Sequence, residues 1–71
     1  MKEYVVIYEH TENNWSAYSP DVPRCMATGK TRDEAERNFR EALLFHIEGL
    51  KAEGLAIPEP GSETGRISVA A

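Results

Sequence analysis

With 71 residues the chain has room for one domain and one modest core, since a chain this short buries only about 60% of the surface it would expose when extended. A composition of 41% hydrophobic and 28% charged residues is that of a folded domain and excludes a disordered tail. The formal net charge of −4 argues against generic nucleic-acid binding, which draws affinity from Lys and Arg on phosphates, and favours a basic partner.

The run Tyr4-Val5-Val6-Ile7-Tyr8 is β-branched and aromatic, is bounded by charge on both sides, and predicts a first strand. Both of its faces are apolar: Val5 and Ile7 project one way, Tyr4, Val6 and Tyr8 the other, so both sides need cover. Thr11-Glu12-Asn13-Asn14 is polar and tolerant of turn conformations, and reads as a hairpin. Trp15 to Ser19 alternates as a second strand and stops at Pro20, which cannot donate to a ladder. Pro20 and Pro23 frame a rigid loop, and Cys25-Met26-Ala27-Thr28 predicts a short third strand.

Thr31 and Glu34 match a capping box and open a helix whose first turns carry Asp33, Glu34 and Glu36, where carboxylates favour the positive end of the helix dipole. Apolar residues recur at Ala35, Phe39, Ala42, Leu43, Ile47 and Leu50 and form one stripe. Gly54 followed by Leu55 fits a left-handed terminator with a trailing apolar contact. Ile57-Pro58-Glu59-Pro60-Gly61 is a stiff connector, and Arg66-Ile67-Ser68-Val69 alternates as a last short strand. The expected fold is therefore α+β, in the order β-β-β-α-β. One long helix lies on one face of a small, mostly antiparallel sheet.

Three chemistries are weighed against plainer readings. Gly29-Lys30-Thr31 lacks the upstream glycine that a phosphate cradle needs, which leaves Gly29 as a turn and Thr31 as an N-cap. Cys25 as a nucleophile would need His10 or His46 within hydrogen-bond reach and a third group to orient it; a buried core thiol asks for neither. Glu9, Asp21 and Glu34 would have to converge to hold a divalent metal, whereas Asp21 as a turn residue and Glu34 as a cap need no convergence. No catalytic residue, metal or cofactor is expected. The lone Cys25 excludes an internal disulfide and paired-thiolate zinc, and no apolar stretch approaches a bilayer span. The expected location is the cytoplasm, with no membrane association.

The ordered combination of the aromatic and β-branched strand, Trp15-Ser16-Ala17-Tyr18-Ser19, Pro20-Asp21-Val22-Pro23 with Cys25, and Gly29-Lys30-Thr31-Arg32-Asp33-Glu34-Ala35 resembles the HicB-like antitoxin family. Ile57-Pro58-Glu59-Pro60 is similar to that family's closing signature, and the likeness runs from Tyr4 to Pro60. The resemblance implies a truncated ribonuclease H-like unit over residues 1–71 as a single domain. The C-terminal DNA-binding module that many members carry is expected to be absent, and no direct binding of nucleic acid by this chain alone is expected. Arg24 departs from the family, which usually has glycine there, and that leaves the loop's backbone shape open.

The resemblance further implies a non-enzymatic module that neutralises a HicA-type toxin, an mRNA-cleaving protein, by occluding its basic RNA-binding face. Glu9, Glu12 and Asp21 would steer and dock that partner, and Trp15 and Tyr18 would anchor it. The same two aromatics read equally well as strand residues packed on the sheet. A self-associating interaction domain without a toxin is the alternative, and a metal-dependent ribonuclease remnant the third. Self-association as a homodimer or higher homo-oligomer is expected through the sheet, with Tyr4, Val6 and Tyr8 as the apolar surface.

Overall fold

The computed structural model describes residues 1–71 and runs β1 (Ile7–His10), β2 (Trp15–Tyr18), β3 (Met26–Gly29) and α1 (Arg32–Ala52). The strands form an antiparallel meander in the order β1-β2-β3, with α1 across one face. Register fixes which side is which. Tyr8 pairs with Ala17 and Ala17 with Ala27, a row that points at the helix and meets Ala35 and Phe39 in the core. Ile7, Tyr18 and Met26 are the neighbouring row and point away from it.

β1 starts three residues later than its composition predicts. Ile7 pairs with Tyr18, so Val5 would have to face Pro20, which has no N–H to give. Tyr4–Val6 therefore lead into the sheet without joining its ladder, and Glu9 and His10 complete the strand instead. The hairpin closes over Thr11–Asn14, where Thr11 donates both its backbone N–H and its hydroxyl to the Asn14 carbonyl at 2.8 and 3.0 Å.

Between β2 and β3 the two prolines build two consecutive turns. Val22 N donates to Ser19 O and Cys25 N to Val22 O, both at 3.1 Å, with Pro20 and Pro23 in the second position of each turn. Proline presets the φ that this position needs. No residue other than Gly54 has positive φ, so Arg24 keeps an ordinary negative φ and needs no glycine. The turns lower Val22 and Cys25 into the core beside Ala17, Ala35 and Phe39.

α1 is capped as its sequence predicts. Thr31 Oγ1 accepts from Glu34 N at 3.0 Å, and Glu34 Oε1 accepts from the Lys30 N–H at 2.8 Å, one residue ahead of the usual capping-box donor. At the far end Gly54, with φ of 70°, donates to Lys51 O and Leu55 N donates to Leu50 O, the paired bonds of a left-handed helix stop. The 21-residue helix is about 31 Å long while four-residue strands span about 13 Å, so its C-terminal half overhangs the sheet. Phe45, 82% exposed, and Leu44 lie on that overhang, and Leu55 stays half exposed instead of closing an apolar contact.

The fourth strand expected at Arg66–Val69 does not form. Pro58 and Pro60 have no N–H to donate, and the N–H groups of Gly61 and Ser62 go to a side chain, the Asp21 carboxylate, instead of to a neighbouring strand. The segment still returns along the start of the chain. Lys2 Nζ pairs with Glu59 at 2.8 Å, and the Tyr4 hydroxyl donates to Pro58 O at 2.6 Å.

Candidate functional site

The β1–β2 hairpin carries exposed acidic groups and a half-buried tryptophan. Glu9 and Glu12 are exposed, the first at the end of β1 and the second in the turn. The His10 and Trp15 rings, opposite each other in the register, stack at 4.5 Å between centroids and 8° between planes. By register the stack lies on the helix side of the sheet, where Trp15 also packs against the core, while Glu9 points to the opposite side and Glu12 sits in the turn. Trp15 also borders a cleft of about 650 Å³ along the outer edge of β1, with Val6, Ile7, Tyr8, Arg32 and the stretch Thr64–Arg66 around it. Tyr18 lies at the other end of β2 and on the opposite face from Trp15, so the two aromatics do not form one patch.

Asp21 lies apart from the hairpin and is engaged within the chain. Its Oδ2 accepts from the N–H groups of Gly61 and Ser62, both at 3.1 Å, and its Oδ1 accepts from the Ser62 hydroxyl at 3.0 Å. The two backbone bonds are the main reason its carboxyl is held below the usual carboxylate range. Asp21 thus fastens the segment after the helix to the loop between β2 and β3, across 40 residues of sequence. Nothing in the spacing of Pro20-Asp21-Val22-Pro23 names that partner.

Tyr4, Val6 and Tyr8 face the helix and pack half-buried against the core. The Tyr8 hydroxyl donates to Glu36 Oε1 at 2.7 Å and the Arg32 guanidinium sits 4.0 Å above its ring, so Tyr8 is braced by two helix residues that sequence reasoning assigned no such part. Burial first, and the bond to Glu36 second, push the Tyr8 hydroxyl's pKa up; the same bond, with Arg40 nearby, holds the Glu36 carboxyl down. On the other side of the sheet Ile7 and Tyr18 are half-buried and Met26 is 61% exposed.

The remaining chemical candidates separate. Cys25 is buried in the core and its thiol pKa is raised by that burial, which disfavours the thiolate a nucleophile needs. His46 borders the same shallow groove as Cys25 without reaching into the core. Glu9, Asp21 and Glu34 do not converge, and no three His, Cys, Asp or Glu side chains stand close enough together to share a metal ion. No helix is long and apolar enough to cross a membrane.

Comparison with known proteins bears on this arrangement directly. Residues 4–68 match the family described as HicB_like antitoxin of bacterial toxin-antitoxin system. The chain is 32% identical over 60 residues to "Antitoxin HicB 2" of Photorhabdus laumondii, covering 84% of this chain and 43% of that protein. It is 36% identical over 56 residues to an uncharacterized 14.9 kDa protein of Haemophilus phage HP1, covering 79% of this chain and 42% of the phage protein. It is 35% identical over 63 residues to a UPF0150 protein of Thermoplasma acidophilum, covering 89% and 91% of the two chains. The chain therefore spans less than half the length of the Photorhabdus and phage relatives and nearly all of the Thermoplasma one. No solved structure matches it. The paired proline turns, the capped helix and the three-stranded meander all fall inside the matched span, and the chain belongs to the HicB-like antitoxin family.

Proposed function

We propose that this chain is the toxin-facing unit of an antitoxin, a non-enzymatic module that binds a HicA-type mRNA-cleaving toxin and covers its RNA-binding face. The family match over residues 4–68 carries the reading. It is supported by the β1–β2 hairpin, which carries the exposed Glu9 and Glu12 and the His10–Trp15 stack on a chain of net charge −4. A toxin that must hold RNA presents a basic surface, and opposite charge speeds its encounter with an acidic tip. Trp15 supplies the anchor at that tip. Tyr18 adds an aromatic on the open face of the sheet, and Asp21 contributes charge while holding the adjoining loop.

The chain also associates with itself in this reading, through the sheet face that carries Ile7, Tyr18 and Met26, because one helix covers only one side of the sheet. It acts in the cytoplasm, where its target would be, and leaves operator recognition to other polypeptide segments. The test is binding of the purified chain to a HicA-type toxin encoded beside it. A complex should form, protect mRNA from the toxin, and weaken at least tenfold on Glu9→Lys with Glu12→Lys, mainly through slower association. Failure to bind any adjacent small basic protein would reject the reading in favour of an orphan interaction domain. Metal-dependent RNA cleavage by the chain alone would favour a nuclease.

A further inference from the structure

The outer edge of β1 and the segment Arg66–Val69 are both left without partners, and each has what the other lacks. β1 pairs only with β2, so its second edge presents free backbone groups. The opposite edge of the sheet is partly occupied already, since Asn38 of the helix donates to the Thr28 carbonyl of β3 at 2.9 Å. Ile67 and Val69 are 91% and 76% exposed in a stretch with no helix or turn, whose alternation of residues fits a strand.

The chain does not join the two by itself. Gly61 and Ser62 are pinned to Asp21, and Thr64–Arg66 stand across a cleft of about 650 Å³ from Val6–Tyr8. Beyond that cleft the residues from Ile67 to Ala71 are all exposed. The molecule is 48 Å long by 26 and 18 Å, and its radius of gyration is 13.9 Å where a compact chain of this length has about 11 Å.

We infer that Arg66–Val69 is an exchange arm that adds as a strand to the free edge of β1 in a second copy of this chain. The two segments are four residues each, so their ladders match in length. Ile67 and Val69 share a face, and on the edge of β1 they extend the row Ile7–Tyr18–Met26 on the side away from the helix, while Arg66 and Ser68 turn the other way. Exchange is reciprocal about a twofold axis and closes as a dimer, which leaves no free β1 edge for a third copy. The inference names the segment behind the self-association proposed above and rests on that association occurring.

Sedimentation of the whole chain at micromolar concentration, in low and high salt, tests both. The parent should be a salt-resistant dimer, and Ile67→Asp with Val69→Asp, which alter only exposed side chains, should weaken it at least tenfold with an unchanged circular dichroism spectrum. In a Cys25→Ser background, one chain carrying Glu9→Cys, which shares a face of β1 with Ile7, should form a covalent heterodimer when mixed and oxidised with a second chain carrying Ile67→Cys or Val69→Cys. A parent dimer that the two aspartates leave intact, or a mixture that yields no heterodimer, overturns the exchange arm and leaves association through the sheet face standing. A parent that is monomeric throughout overturns both.

Discussion

Replacing Gly29 by alanine tests how closely the helix is seated on the sheet. Gly29 ends β3, is buried, and does not have the positive φ that would demand glycine for backbone reasons. Space is what it supplies. A Cβ at this position would lie 2.5 Å from the Ala35 nitrogen and 2.9 Å from both the carbonyl carbon and the Cβ of Glu34. Reaching ordinary contact at 3.4 Å would require the first turn of α1 to retreat by about 0.9 Å, and that turn is held by the Thr31 cap and by the Glu34–Lys30 bond. Overpacking of this kind costs about 1–3 kcal/mol, and a clash with backbone instead of a movable side chain places it near about 3. A domain of this size has about 4–10 kcal/mol of stability in all, so the substitution should remove a third or more of it. The melting temperature should fall by about 10–20 °C. Gly54 is the control: its φ is 70° and nothing lies within 4 Å of a Cβ there, so Gly54→Ala should cost only about 1 kcal/mol. Urea unfolding followed by Trp15 fluorescence measures both. If Gly29→Ala unfolds within 0.5 kcal/mol of the parent, or costs less than Gly54→Ala, the seating argument is wrong.

The carboxyls of Asp21 and Glu36 are held below their ordinary values of 3.8 and 4.5, so their contribution to stability is complete above those values and is lost as pH falls through them toward the lower folded ones. Urea midpoints should therefore drop on acidification from about pH 5, and Asp21→Asn should flatten part of that drop while exposing the Gly61 and Ser62 amides to hydrogen exchange; a midpoint that rises on acidification would contradict the assignment. Ser19 is buried with its hydroxyl unpartnered, so Ser19→Ala should be neutral or stabilise by about 1 kcal/mol, read from the same unfolding curves. Gly49 lies within the helix with open space around it, and Gly49→Ala should stabilise by about 1 kcal/mol. Tyr8→Phe should raise the Glu36 carboxyl pKa toward its ordinary value in an NMR titration, since the tyrosine hydroxyl is the largest influence holding it down.

The features legible from the residues alone are those whose partners lie within a few positions. Thr31 and Glu34 are three apart, as a cap requires, and both make their bonds at the head of α1. Gly54 needs only its own freedom at positive φ to stop the helix, and the hairpin over Thr11–Asn14 and the twin proline turns close over three residues each. Tertiary structure decided everything that couples distant segments. Tyr4-Val5-Val6-Ile7-Tyr8 is apolar on both sides, so its pattern cannot say which face the helix takes; the core around Ala17 and Phe39 settles it for Tyr4, Val6 and Tyr8. The same docking turns Gly29 from an apparent turn residue into a contact point for the helix backbone. Asp21 reads as a turn former from its neighbours, yet its bonds are to Gly61 and Ser62, and they tie the segment after the helix to the loop between β2 and β3. Local hydrogen bonds are fixed by spacing along the chain, while these pairings depend on where the folded helix delivers the residues that follow it.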